Sequence, residues 1–289
     1  MAKNTSFIRW AGGKAWFVPA VQDMIQNLQF NNYIEPFMGG ASIFFSLDLP
    51  NRAYLSDING ELANTFIQIR DNLDLVTEKL KEYKTDKESY YEIRKQEPVN
   101  LIEQAARFLY LNFYSFNGIY RVNSKGKFNV PYGRRSGEFN YDRLEGIRGK
   151  LQIAEIAERD FGACREYIHE GDLVFLDPPY AVSSKSSDNN MFIAYNPTLF
   201  SLDDQQRLAN LIDYINEVHA YFILTNAHHP EIAKIFKDKG EMLEYDRTCN
   251  IGGKSAKRGK VQEYIFTNIP RACLKNKNCT KRMFHFPFS

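Results

Sequence analysis

No apolar run in this 289-residue chain approaches the roughly 20 residues needed to cross a bilayer. The amino terminus reaches Phe7-Ile8-Arg9-Trp10 without the long apolar region of a secretory signal. Cysteine is scarce: Cys164, Cys249, Cys273 and Cys279 form no close pair and have no histidine at zinc-finger spacing. That pattern excludes a disulfide scaffold and leaves no structural metal site, so isolated reduced thiols are expected. Together these absences predict a soluble cytoplasmic protein with no membrane partner. A charge excess is also missing, because 37 Lys and Arg stand against 35 Asp and Glu for a net +2. Any nucleic-acid contact must therefore come from local basic clusters. The stretch from about Glu61 to Arg148 has no repeat and no low-complexity tract, so it is not simply a linker.

What is present is a hydrophobic fraction of 44% with 14% aromatics, enough for one sizeable core or a core plus a smaller lobe. Short apolar runs end in acids at Tyr33-Ile34 before Glu35 and at Ala53-Tyr54-Leu55-Ser56 before Asp57. Both read as buried parallel strands. Gly39-Gly40-Ala41-Ser42 lies between them and opens a helix expected over 43–49, which completes a strand, turn, helix, strand unit. The same grammar resumes at Ile153 to Ile156 and at Leu173 to Leu176 running into Asp177. A helix follows over 203–218, then a strand at Tyr221 to Thr225. A closing pair of strands is expected near 242–249 and 261–267, bracketing a basic stretch at 252–260.

The fold class is therefore α/β, a doubly wound Rossmann-like sheet with an inserted, mainly helical lobe. Residues 1–60 and 149–270 form the sheet domain. Residues 61–148 form the lobe, with an aromatic-rich helix over 101–116 and a loop rich in Gly, Asn and Arg. Residues 271–289 read as a loosely ordered tail.

Three motifs carry chemistry. At Gly39-Gly40 no side chain keeps a ligand from the backbone, and Asp57 ends the next strand where an acid can accept ribose hydroxyls. The full G-x-G-x-x-G pattern is missing, which argues against a dinucleotide pyrophosphate and against a nicotinamide oxidoreductase. S-adenosylmethionine has a ribose and no phosphate, and its carboxylate wants a cation such as Lys14 of Trp10-Ala11-Gly12-Gly13-Lys14. Lys14 also fits a plain solvated cation at a helix start.

Asp177-Pro178-Pro179-Tyr180 is the sharpest motif. Its prolines have no amide hydrogens, so the turn offers a carboxylate and carbonyls as acceptors. Such a turn suits an amine donor, and Tyr180 could lie flat against a base taken out of its stack. The bland alternative is a strand-ending turn capped by an acid.

With these segments in hand, the chain resembles the Dam-like, D12-class adenine-specific DNA methyltransferases over nearly its whole length. The resemblance rests on Phe7 to Lys14, Glu35-Pro36-Phe37-Met38-Gly39-Gly40, Leu55 to Asn59 and Asp177 to Tyr180, in that order. It extends to Asn117-Gly118-Ile119-Tyr120-Arg121-Val122-Asn123 and to Gly126-Lys127-Phe128-Asn129-Val130-Pro131-Tyr132-Gly133, which are similar to the family's target-recognition block.

The resemblance implies site-specific N6 methylation of a flipped adenine in double-stranded DNA, with S-adenosylmethionine as donor. It implies that Trp10, Ala11, Gly12 and Lys14 contact the donor, that Glu35, Pro36, Phe37, Gly39 and Gly40 form its turn, and that Asp57 holds its ribose. Asp160 and Phe161 then flank its adenine, although a strand-end acid and a core aromatic describe that pair equally well. Asp177, Pro178, Pro179 and Tyr180 form the catalytic turn, and Asp177 also contacts the donor.

Arg121 is the candidate for a base edge, since guanidinium pairs bidentately with guanine. Asn117, Asn123, Lys127, Asn129, Pro131 and Tyr132 complete the recognition segment. Lys125, Lys127, Arg134, Arg135 and the loop from Lys254 to Lys260, with Lys257 and Arg258, suit phosphates, yet each cation alone also reads as a solvated charge. Tyr114, Phe116 and Tyr120 could fill the gap left by the base, with core packing expected for at least two of them. A monomer is favoured, and a cognate restriction endonuclease acting on the same site is an admissible functional partner. Two other readings stay open at this point: methylation of an amine in RNA or protein, and a DNA-binding module with a vestigial site.

Overall fold

The computed structural model describes residues 6–135, 137, 139–179, 200–248 and 260–270. In chain order the elements are α1 (Val18–Ile25), β1 (Tyr33–Glu35), α2 (Ser42–Ser46), β2 (Ala53–Asp57), α3 (Gly60–Asp71), α4 (Leu73–Glu82), α5 (Lys87–Lys95) and α6 (Leu101–Tyr114). They continue with α7 (Tyr141–Leu151), β3 (Ala154–Glu158), β4 (Leu173–Leu176), α8 (Leu202–Glu217), β5 (Tyr221–Ala227), α9 (Pro230–Phe236), β6 (Glu241–Thr248) and β7 (Lys260–Thr267). The strands form a mixed seven-stranded sheet in the order β3-β2-β1-β4-β5-β7-β6, the α/β class expected from the alternating pattern.

The chain packs as two compact units, Met1–Val18 with Glu35–Ala163, and Pro19–Ile34 with Cys164–Ser289. In the first, β2 and β3 pair in parallel with Asp57 opposite Glu158. Phe17, Phe44, Leu55, Leu62, Phe66 and Ile69 fill its interior, and fully burying each such side chain stabilises the fold by about 1.5–3 kcal/mol. In the second, β4 pairs in parallel with both β1 and β5, while β7 runs antiparallel to β5 and β6. The four residues of β4 are all buried, as a central strand covered on both faces requires.

Helix starts follow from local chemistry. Asn59, Asp86, Asn100 and Asn140 each accept a backbone amide from the first turn of the helix they precede, and Ser201 forms a reciprocal capping box with Asp204. Asn100 accepts two amides, from Ile102 at 2.8 Å and from Glu103 at 3.2 Å. Asn100→Ala is therefore expected to destabilise the protein by about 1 kcal/mol, read as a lowered denaturant midpoint with an unchanged slope.

Several boundaries differ from the sequence expectation. The helix expected over 43–49 spans Ser42–Ser46 and ends with Leu47 extended; Leu49 precedes Pro50, whose ring disfavours helical backbone in the residue before it. The aromatic-rich helix stops at Tyr114 because Ser115 turns extended, and a single 3-10 turn spans Phe116–Gly118. The strand after Leu151 begins at Ala154 and runs on to Glu158. Helices α1 and α9 were not marked by the apolar pattern.

Candidate active site

In the first unit the amino-terminal motif and the glycine turn come together. Gly39 has a left-handed φ of +44°, and a Cβ built on it would stand 2.7 Å from Trp10 Cδ1. A Cβ on Gly40 would stand 2.9 Å from Ser6 Oγ and 3.3 Å from Trp10 Cβ. Gly39 is thus required by the indole that lies against it, while a side chain at Gly40 would have to displace Ser6. Beneath Trp10 are Tyr120, stacked at 5.4 Å between ring centroids, and Phe108 at 6.4 Å. The Tyr120 hydroxyl donates to Glu61 Oε2 at 2.7 Å. Burial, followed by the Glu61 charge, raises its pKa well above the usual phenol value; it stays protonated and keeps donating.

Asn112 of α6 anchors the residue before Trp10. Its Oδ1 accepts the Arg9 amide at 2.9 Å, and its Nδ2 donates to the Arg9 carbonyl at 2.8 Å. The sequence reading missed both Asn112 and this use of Tyr120, since contacts 103 or more residues apart leave no local signature. Lys14 is only 5% exposed, and its ammonium donates to the Gly12 carbonyl at 3.1 Å. That burial sets it apart from a solvated cation. Gly12 turns the chain at a φ of +81°, next to exposed Ala11.

Asp57 holds the turn from below. Its Oδ2 accepts the Gly39 amide and its Oδ1 the Asn59 amide, each at 3.0 Å. Burial pushes its pKa above the ordinary carboxylate value, against the pull of the amides of Asn59, Gly39 and Ile58. Glu35 is buried at the end of β1. Phe37 stacks on Phe161 at 5.2 Å, and Asp160 beside it is exposed, accepting the Gly162 amide at 2.9 Å. The two residues that sequence alone left ambiguous therefore adjoin the glycine-turn segment, one ring buried and one carboxylate at the surface.

The segment expected to recognise the target is an irregular hairpin that follows α6. Ser115 bridges to Tyr132 and Val122 to Phe128, while Asn123 Oδ1 accepts the amides of Lys125 and Lys127. Arg121, Asn123, Lys127 and Arg134 are exposed, and Arg121 Nε donates to Asn129 Oδ1 at 2.7 Å. Lys127 pairs with Glu97. Asn117 is exposed in left-handed backbone at a φ of 57°, next to Gly118, whose own φ is +63°. Pro131 is exposed and accepts the Phe116 amide through its carbonyl.

Tyr132 and Arg135 are also engaged with the protein. The Tyr132 hydroxyl donates to the Thr85 carbonyl at 3.0 Å, and the Arg135 guanidinium lies over the Phe113 ring at 3.6 Å. Of the three aromatics considered for a stacking role, Tyr114 is buried and Tyr120 is stacked on Trp10. Phe116 is 52% exposed.

In the second unit, Asp177 follows β4 and accepts the Thr225 hydroxyl through Oδ1 at 2.7 Å. Pro178 is buried and Pro179 exposed. Thr225 was missed as a site residue, although the expected strand ended on it. Tyr180, Lys254, Lys257, Arg258 and the tail at 271–289 lie outside the described residues. Among the described residues no cluster of His, Cys, Asp or Glu could hold a metal, and no helix is long and apolar enough to cross a membrane.

Comparison with known proteins converges on one family. The family described as D12 class N6 adenine-specific DNA methyltransferase matches residues 10–251. The chain is 34% identical over 274 residues to the Type II methyltransferase M1.LlaDCHI of Lactococcus lactis subsp. cremoris, covering 91% of this chain and 94% of that one. It is 31% identical over 287 residues to the Type II methyltransferase M.MjaIII of Methanocaldococcus jannaschii, covering 91% and 98%. It is 29% identical over 279 residues to the DNA adenine methylase of Escherichia coli K12, covering 92% and 95%.

Proposed function

We propose, for a chain that belongs to the D12 class of N6 adenine-specific DNA methyltransferases, that the donor is S-adenosylmethionine and the acceptor an adenine drawn out of duplex DNA. The enzyme class and the DNA adenine substrate are those of the family; the donor, the base flip and the residue roles are our reading. The observation that carries it is the Gly39-Gly40 turn packed under Trp10 and pinned by Asp57. A Cβ added at either glycine would press on Trp10 or Ser6 and shift the turn.

The residues present fit the donor. Lys14, a buried cation beside the Gly12 turn, suits the amino-acid carboxylate, and Asp57 suits the ribose. Phe161 and Asp160 suit the adenine, a ring for its face and a carboxylate for its amine. S-adenosylmethionine supplies an electrophilic sulfonium methyl. Asp177 and the Pro178 carbonyl accept the two hydrogens of the target amine, holding its weakly nucleophilic nitrogen in one orientation, an effect worth roughly 7–11 kcal/mol in favourable cases. Asp177 need not be a strong base, because its proton arrives after methylation has made the nitrogen cationic and acidic.

On the DNA side, Arg121 reads a base edge with its terminal amino groups while Asn129 holds its Nε. Lys125, Arg134 and the basic residues Lys254, Lys257 and Arg258 neutralise phosphates. Exposed Phe116 is the ring best placed to fill the vacated stack. Tyr132 and Arg135 brace the segment from within. We further propose that residues 61–148 are the target-recognition domain, inserted between the catalytic parts at 1–60 and 149–270. The protein acts as a cytoplasmic monomer, and a cognate endonuclease sharing its site is compatible with this role.

Incubating the purified chain with methyl-labelled S-adenosylmethionine and plasmid duplex, followed by nucleoside analysis, should place the label in N6-methyladenine. Label confined to cytosine, or transferred to RNA in preference to duplex, would overturn the reading.

A further inference from the structure

The contact between Thr225 and Asp177 follows from strand register. Strands β4 and β5 run parallel with Leu176 opposite Leu224, so the next residue of each comes side by side with its side chain on the same face of the sheet. The Thr225 hydroxyl lies 2.7 Å from Asp177 Oδ1 and 3.5 Å from the Leu176 carbonyl. Its proton therefore belongs to the carboxylate.

Thr225 itself has little freedom. It is fully buried, and its branched side chain has restricted χ1. The following residue, Asn226, is tied through the opposite face: its side-chain Nδ2 donates to Gln205 Oε1 of α8 at 2.9 Å, and its Oδ1 accepts the Ala227 amide at 2.8 Å. The strand end is thus held by α8 on one side while it presents one oriented hydroxyl on the other. A carboxylate, by contrast, turns broadly about its terminal sp³–sp² bond. A donor fixed to the strand beside it removes that rotation.

We propose that Thr225 is a positioning residue of the methyl-transfer reaction, fixing the plane of the Asp177 carboxylate toward the adenine amine. The inference rests on the reading of Asp177 as the acceptor of that amine. It adds a buried hydroxyl, on a strand distant in sequence from the Pro-Pro turn, to the parts that determine rate.

The test compares Thr225→Val, Thr225→Ser and Asp177→Asn in the full chain. For each, the single-turnover rate of methyl transfer, the KM for duplex, the S-adenosylmethionine affinity by calorimetry and the melting temperature are measured. Asp177→Asn should lose transfer. Thr225→Val should lower the single-turnover rate roughly ten- to hundredfold, the worth of one hydrogen bond to a charged group. Its KM for duplex and donor affinity should stay within about threefold of the native values. Thr225→Ser, which keeps the hydroxyl, should recover most of the rate. If Thr225→Val does not fold, Thr225→Ala carries the same comparison.

A lowered melting temperature with an unchanged rate per folded molecule would show a purely structural role and overturn the inference. So would a Thr225→Val enzyme as fast as the native one while Asp177→Asn is dead. An Asp177→Asn enzyme at full activity overturns the reading of Asp177 itself, and the inference with it.

Discussion

Asp177→Ala lowers the single-turnover rate of methyl transfer to duplex DNA by roughly 10²- to 10⁴-fold, with donor affinity nearly unchanged. The expectation follows from the turn's composition. Pro178 and Pro179 carry no amide hydrogens, so acceptors alone face an incoming amine, and Asp177 supplies the only charged one within the four-residue motif. Its removal takes away both the orientation of the nitrogen and the nearest destination for the proton. Thr225 is left with a buried hydroxyl and a cavity in place of its 2.7 Å acceptor, so a modest loss of stability accompanies the loss of rate. The rate is read from the N6-methyladenine formed in one turnover, and the donor affinity by calorimetry. Near-native turnover by a folded Asp177→Ala protein would remove Asp177 from the mechanism.

The second large effect is expected at Gly39→Val. Two penalties coincide there: a left-handed φ of +44°, where branched residues are genuine outliers, and a Cβ driven to 2.7 Å from Trp10 Cδ1. The indole is itself packed against Tyr120 and Phe108, which limits its room to shift. Donor affinity should fall by roughly a hundredfold or more, two decades corresponding to about 2.8 kcal/mol. Gly126→Ala is the matched control. It carries the backbone strain of a φ of +74° with no atom within 4 Å of the new Cβ. Its donor affinity should match the native chain, with a stability cost of about 1–2 kcal/mol. Equal donor affinity in both variants would mean that the turn beneath Trp10 does not hold the donor.

Much of this architecture is legible in the sequence wherever a local rule operates. The runs ending at Glu35, Asp57 and Asp177 mark strand ends because a buried parallel strand is apolar throughout and turns polar only where it leaves the sheet. Asn59, Asp86 and Asn100 precede helices because their short side chains reach the first-turn amides. The glycine pair is recognisable as a place of close approach, but the residue that approaches is not. Trp10 meets Gly39 through a packing arrangement that no window of sequence contains.

The same limit applies to function. Arg121 and Arg135 are equally basic on paper, yet one is exposed and the other lies across the Phe113 ring. Thr225 looks like an ordinary β-branched strand residue until the register of β4 and β5 sets it beside Asp177. Residues whose importance comes from a partner in another strand or helix carry no mark of their own.

Asp57 shows what such a partner does to a position over evolutionary time. One of its oxygens holds the Gly39 amide and the other the Asn59 amide, just ahead of α3. Asparagine could accept only one of those amides, and glutamate would displace the carboxylate from both by a methylene. A ribose requirement alone would admit either acid, and a turn requirement alone would admit several compact acceptors. With the proposed ribose role, the overlap of the two leaves aspartate, so this site should drift more slowly among descendants of the chain than its place in either task would suggest.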